Sequence, residues 1–159
     1  MYAMDALDAR LILALDDDAD ATVLGLARTL GVARNTVTVR LKRLEESGAL
    51  REVSRRVNTA ALGYTLVAFV SVAISQVDNT LVTESLEQIP EVIEMHSITG
   101  DADLLVKVAA RNTEDLLRVT GAMLALEGVV RTNTVISLSE AMPLRMRGLL
   151  EGALTPPRE

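Results

Sequence analysis

Gly100, Asp101 and Asp103 stand between two apolar runs in SITGDADLLVKVA, residues 97–109. Two carboxylates one residue apart beside a glycine fit three kinds of chemistry. A hairpin would use them as turn-forming polar residues. A metal site would use them as oxygen ligands. No cluster of further carboxylates accompanies them, however, and His96 is the only histidine, so metal is the weakest reading. A small-molecule pocket would set a carboxylate against an ammonium group, while glycine lets backbone N–H groups approach a ligand's carboxylate. From the residues alone, turn and pocket both stay open.

A second group is basic. Residues 34–56 carry seven bases and three acids, a local net charge of +4 in a chain whose total is −6, whereas residues 1–20 carry −5. Phosphate contact is governed by charge within about a Debye length, ~8–10 Å, so the local patch outweighs the total. At 100° per residue, Asn35, Thr36, Val39, Lys42 and Arg43 fall opposite the apolar Val37 and Leu41. Asn35 is suited to adenine, Arg43 to guanine or phosphate, and Val39 to a thymine methyl. Arg34 and Thr38 belong to the same candidate DNA-binding set. Arg40 lies nearer the core edge, where it either braces the domain through an ion pair or reaches DNA. Arg51, Arg55 and Arg56 follow in ALREVSRRVN, an alternating stretch that suits a wing gripping phosphates.

These side chains require particular elements. Leu7, Leu11 and Leu15 mark a first helix, ended by the acidic run 16–20. Thr22 caps a short second helix carrying Leu26, Ala27 and Leu30, and Gly31 stops it. A third helix spans 34–47, with Val37, Leu41 and Leu44 inward and Gly48 at its end. This order is a helix-turn-helix. Periodicity alone leaves an ordinary three-helix bundle with a solvated basic face as the alternative.

After NTAALGY (58–64) the period changes. Strands are predicted at 66–75, 91–98, 104–110 and 129–138, and helices at 79–89 and from Asn112 or Thr113 to 126. That is β-α-β-β-α-β, the ferredoxin-like plait. The fold class is therefore α+β: an N-terminal winged helix-turn-helix over 1–57, a hinge linker at 58–65, a ferredoxin-like domain over 66–140, and a C-terminal tail at 141–159 whose LTPPRE is frayed. The first strand is apolar on both faces: Leu66, Val70, Val72 and Ile74 on one, Val67, Phe69 and Ala73 on the other. Helices cover only one face of such a sheet, so the other calls for a second subunit.

Composition excludes several classes. With no cysteine there are no disulfides, zinc ribbons or thiol catalysis. With Tyr2, Tyr64 and Phe69 as the only aromatics, a base-stacking platform is excluded. No catalytic set, phosphate loop or metal motif is present, so no enzyme, no metal and no cofactor are expected. No apolar run reaches the roughly 20 residues of a membrane helix, and the acidic N-terminus lacks a signal pattern. A soluble cytoplasmic protein is expected. A ferredoxin-like metabolite-sensing or enzymatic domain behind a protein-binding bundle is the competing reading, disfavoured by the basic segment.

LDARLILAL, LARTLGVARNTVTVRLKRLEESGAL, VNTAALGY, PEVIEMHSITGDADLLVKV and LEGVVRTNTVISL occur in an order and spacing that resemble the Lrp/AsnC (feast/famine) transcription regulators over nearly the whole chain. The resemblance implies a regulator that binds double-stranded DNA, and a plait that forms homodimers, which commonly assemble further, often into octamers. It also implies a small effector, usually an amino acid, near the loop between the second and third strands. Carried over by position, Thr99, Gly100, Asp101 and Asp103 form that loop, and Thr132 and Thr134 complete the pocket. Two positions depart from the pattern. Ala102 stands where the family often has an aromatic residue. Ala33 stands at the start of the third helix, where Ser or Thr is usual, which removes a capping bond of ~1 kcal/mol unless Asn35 substitutes.

Overall fold

The computed structural model describes residues 3–51, 57–75 and 79–154, in two units: 1–55 together with 142–159, and 56–141. In the first unit, α1 (Ala6–Asp17) begins at Asp5, whose side chain accepts hydrogen bonds from the N–H groups of Leu7 and Asp8. Asp8 returns the favour by accepting from the Asp5 N–H at 3.1 Å, so two aspartates make a capping box. α2 (Val23–Leu30) begins at Thr22, whose Oγ1 accepts from Gly25 N–H. It ends at Gly31, whose φ of 67° is left-handed and turns the chain into α3 (Arg34–Glu46). Leu11, Leu26, Ala27, Leu30, Val37 and Leu44 form the core of these three helices.

The first unit also contains a helix that the sequence did not announce. Residues 142–154, read above as part of a tail, carry α6 (Arg147–Ala153), which packs on α1 and buries Leu150. Burial of Leu150 holds it there, and α1 adds a complementary charge. Its last turn holds no base, while Asp16 and Asp17 sit at the helix end where the macrodipole disfavours negative charge. Arg147 supplies the missing charge, with Nη1 at 2.7 Å from Asp17 and 3.6 Å from Asp16. LTPPRE lies outside the described residues except for Leu154, as does the wing stretch from residue 52 to 56.

The second unit opens with a 3-10 turn, Thr59–Leu62, within the segment expected to be a hinge, capped by Asn58. The elements that follow are β1 (Leu66–Ile74), α4 (Asn79–Glu87), β2 (Val92–Ser97), β3 (Leu104–Ala110), α5 (Thr113–Leu124) and β4 (Val129–Ser137). Asn112, rather than Thr113, caps α5 by accepting from Asp115 N–H. The four strands pair antiparallel in the order β2-β3-β1-β4. One face carries Ala68, Val70, Val72, Val106 and Val108, buried with Val82, Leu86, Leu116, Val119 and Met123.

The register defines rows across the sheet. On the helix-covered face Met95, Val106, Val70 and Thr134 line up, then Ser97, Leu104, Val72 and Thr132. On the open face Glu94, Lys107, Phe69 and Val135 line up, then His96, Leu105, Ser71 and Asn133. Among the described residues of the unit no helix covers this second face; Phe69 is 38% exposed and Val135 59%. Between Ala73 and Ile74 the β1–β4 register slips: Ala73 faces Arg131, Ile74 faces Val129, and Val130 is the extra residue.

Candidate functional site

α3 separates its side chains by role. Val37 and Leu44 are buried, while Arg34, Asn35, Thr38, Val39, Lys42 and Arg43 are exposed and Thr36 is half-buried. Val39 keeps 56% of its surface among polar neighbours. Arg51 is exposed beyond the helix; Arg55 and Arg56 lie outside the described residues. Thr38 Oγ1 donates to the Arg34 carbonyl at 3.2 Å, and Lys42 has a loose exposed pair with Glu46 at 3.6 Å. An exposed pair of this kind is weak and screened, so a phosphate can displace it. Ala33 makes no capping bond, and Asn35 does not replace it, because its side chain is not bonded to the helix start.

Arg40 braces the unit. Its Nη1 lies 2.7 Å from Asp5 Oδ2 and 2.7 Å from Asp8 Oδ1, tying α3 to the start of α1. Asp8 is wholly buried. The bond from Arg40, reinforced by the Asp8 N–H, holds the Asp5 carboxyl below the usual 3.8, and the two acids hold the guanidinium above its ordinary value. A groove of about 600 Å³ between α1 and α2 is edged by Asp17, Asp18 and Asp20. That acidic edge repels phosphate, whereas α3 exposes Arg34, Lys42 and Arg43.

In the second unit, Thr99, Gly100, Asp101 and Asp103 share one exposed loop, closed by Ile98 N–H donating to the Asp103 carbonyl at 2.9 Å. Gly100 has φ 117°, and a Cβ built there would meet nothing within 4 Å, so the backbone is open to an approaching ligand. The two aspartates differ. Asp103 Oδ2 accepts from Ile74 N–H at 2.7 Å, which fastens the loop to the end of β1 beside the bulge. Asp101 contributes its carbonyl, which accepts from Arg131 Nη2 at 3.1 Å. Thr132 lies in the strand row next to the loop and Thr134 one row further, both on the helix-covered side of β4. Arg131 alternates to the open side. Sequence reasoning singled out neither Arg131 nor Arg147. Among the described residues, no group of three or more His, Cys, Asp or Glu could hold a metal ion, and no helix is long and apolar enough to cross a membrane.

Residues 4–51 match the family described as winged helix-turn-helix DNA-binding, and residues 67–146 match the Lrp/AsnC ligand binding domain. The chain belongs to the Lrp/AsnC family. It is a transcriptional regulator with a DNA-binding domain and a ligand-binding domain, and not an enzyme. The HTH-type transcriptional regulator FL11 of Pyrococcus furiosus is 33% identical over 135 residues, 85% of this chain and 89% of its own. The structure of E. coli AsnC is similar, with a TM-score of 0.81 at 26% identity, covering 92% of this chain and 99% of that one. So is the Mycobacterium tuberculosis feast or famine regulatory protein complexed with L-methionine, with a TM-score of 0.80 at 28% identity, covering 90% and 97%. The Lrp/AsnC match spans the loop, Arg131 and both threonines, and the helix-turn-helix match spans all of α3.

Proposed function

We propose that this Lrp/AsnC regulator reads double-stranded DNA by placing α3 in the major groove, with Arg34, Asn35, Thr36, Thr38, Val39, Lys42 and Arg43 at bases and phosphates. Arg51, Arg55 and Arg56 add phosphate contacts. The observation that carries this reading is the division of α3: Arg40 is bound to acids of α1, while the bases at 34, 42 and 43 and the polar residues between them face out. A dimer then reads two half-sites about 10 base pairs apart, or a multiple of that spacing. Gel shifts across a salt series test it. Lys42→Ala and Arg43→Ala each weaken binding at low salt and lower the slope of log K against log salt by about 0.9 per phosphate contact removed. Unchanged affinity and slope in both would take α3 off the DNA.

The same proposal places a small amino-acid effector at the 98–103 loop, and has the chain act in the cytoplasm. Support comes from the open space over Gly100, the carboxylate of Asp101, and the L-methionine bound by the M. tuberculosis relative. The second copy of a homodimer packs on the open sheet face, where Phe69 and Val135 stand exposed, and dimers assemble further, up to octamers. Effector binding works by favouring one arrangement of dimers, which moves the reading helices. A monomer by light scattering at micromolar concentration would remove the assembly from this scheme.

A further inference from the structure

We infer that Arg131 determines specificity at the effector loop, by receiving the carboxylate of a zwitterionic α-amino acid whose ammonium is met by Asp101. This rests on the effector site being the 98–103 loop. The β1–β4 register, unbroken from Val67–Ser137 to Ala73–Arg131, sets Arg131 opposite Ala73, next to the bulge at Val130 and at the end of β1 where Asp103 also fastens. From there the guanidinium reaches over β1 and binds the loop through the Asp101 carbonyl.

What the guanidinium does not bind is as informative. Arg40, Arg118 and Arg147 each hold two or more carboxylates. Arg131 has spent one of its five N–H donors on a neutral peptide oxygen and, among the described residues, has no ionic partner. The Asp101 carboxylate, in the same residue whose carbonyl Arg131 holds, also has none. Asp103 is already committed to Ile74 N–H. One unpaired cation and one unpaired anion therefore stand at a loop whose glycine is open to solvent. A zwitterion satisfies both, and a guanidinium fork takes a carboxylate through two parallel bonds. Thr132 and Thr134 alternate to the other side of β4, while Arg131 is bonded to the loop.

The test compares amino acids with their carboxamides, which keep the ammonium and side chain and lose the negative charge. Calorimetry of the full chain against the twenty L-amino acids selects the tightest binder, and its carboxamide is then titrated. The wild type prefers the acid by about tenfold or more, as a charge-assisted bond requires. Arg131→Gln, which keeps a donor for the Asp101 carbonyl, loses that preference and binds acid and amide alike. Arg131→Lys regains part of it. If Arg131→Gln weakened both ligands by one common factor, Arg131 would be a loop fastener only and the inference would fall, while the loop remained the effector site. Absence of binding by the wild type, or binding indifferent to Asp101→Asn, would overturn the loop reading and this inference together.

Discussion

In the first unit a wholly buried aspartate is held by an arginine from another helix, and α1 is gripped at its two ends by Arg40 and Arg147. In the second unit every residue of the buried cluster is apolar, and the sheet register sets the geometry. The difference lies in what each unit must orient. Packing against a sheet leaves charged residues at its edges for other uses, as at Arg131. A small helical head has little core, so directional ion pairs set the angle between α1 and α3 and with it the face that α3 presents. The head should therefore respond to acid and salt, and the sheet unit to lost volume.

The sharpest way to break this contrast is Leu86→Ala. Leu86 is wholly buried between α4 and the sheet, and the cavity should cost about 2–5 kcal/mol. Native-state hydrogen exchange should show the loss in β1, β3 and α5 and leave α2 unchanged. Loss spread equally over both units would mean that they unfold as one.

Next comes Arg40→Met, which keeps bulk but removes the counter-charge of buried Asp8, at about 1–3 kcal/mol. Here exchange should rise in α1 and α3. DNA affinity should fall with it, although Arg40 is not proposed to touch DNA.

Acid separates the units less strongly. Because Arg40 holds the Asp5 carboxyl low, the unfolded chain binds more protons near pH 4 than the folded one does. The stability from Asp5 is thus complete above its ordinary value of 3.8 and lost as pH falls through the lower folded value. Urea midpoints of the head measured from pH 5 to pH 3 should fall, and fall less in Arg40→Met. Asp115 is also held low, by Arg111 N–H and Arg118, so the sheet unit keeps an acid response that Arg40→Met leaves intact. Equal acid sensitivity of the head with and without Arg40 would contradict the charge-set geometry.

The smallest expected change is Arg147→Ala. Its pairs with Asp16, Asp17 and Glu151 are exposed and screened. The head's thermal midpoint should drop less than in Leu150→Ala, and the gap from wild type should close in 1 M salt.

What the chain disclosed in advance follows from how local each signal is. Thr22 before LGLARTL, Gly31 after it, and the Val82–Leu86–Ile89 spacing needed only neighbours in sequence. α6 needed a partner. It is short, contains Gly148 and Gly152, and has a weak propensity of its own, so its stability comes from α1, over a hundred residues away. The loop at Gly100 was legible because a glycine and two aspartates interrupt apolar runs. The division of labour between Asp101 and Asp103 was not, because it depends on partners distant in sequence: Ile74 N–H for the Asp103 carboxylate and Arg131 for the Asp101 carbonyl.

The fourth helix of the head has a consequence in time. During synthesis, α1 to α3 emerge first, and Arg147 follows roughly a hundred residues later, about 5–20 s at ribosomal speed. Through that interval the nascent head has α3 and its Arg40 brace, but the acidic end of α1 is uncompensated. The head is finished only after β4 has been made, so a ribosome that stalls in the sheet leaves a DNA-binding domain loosely fastened at one end.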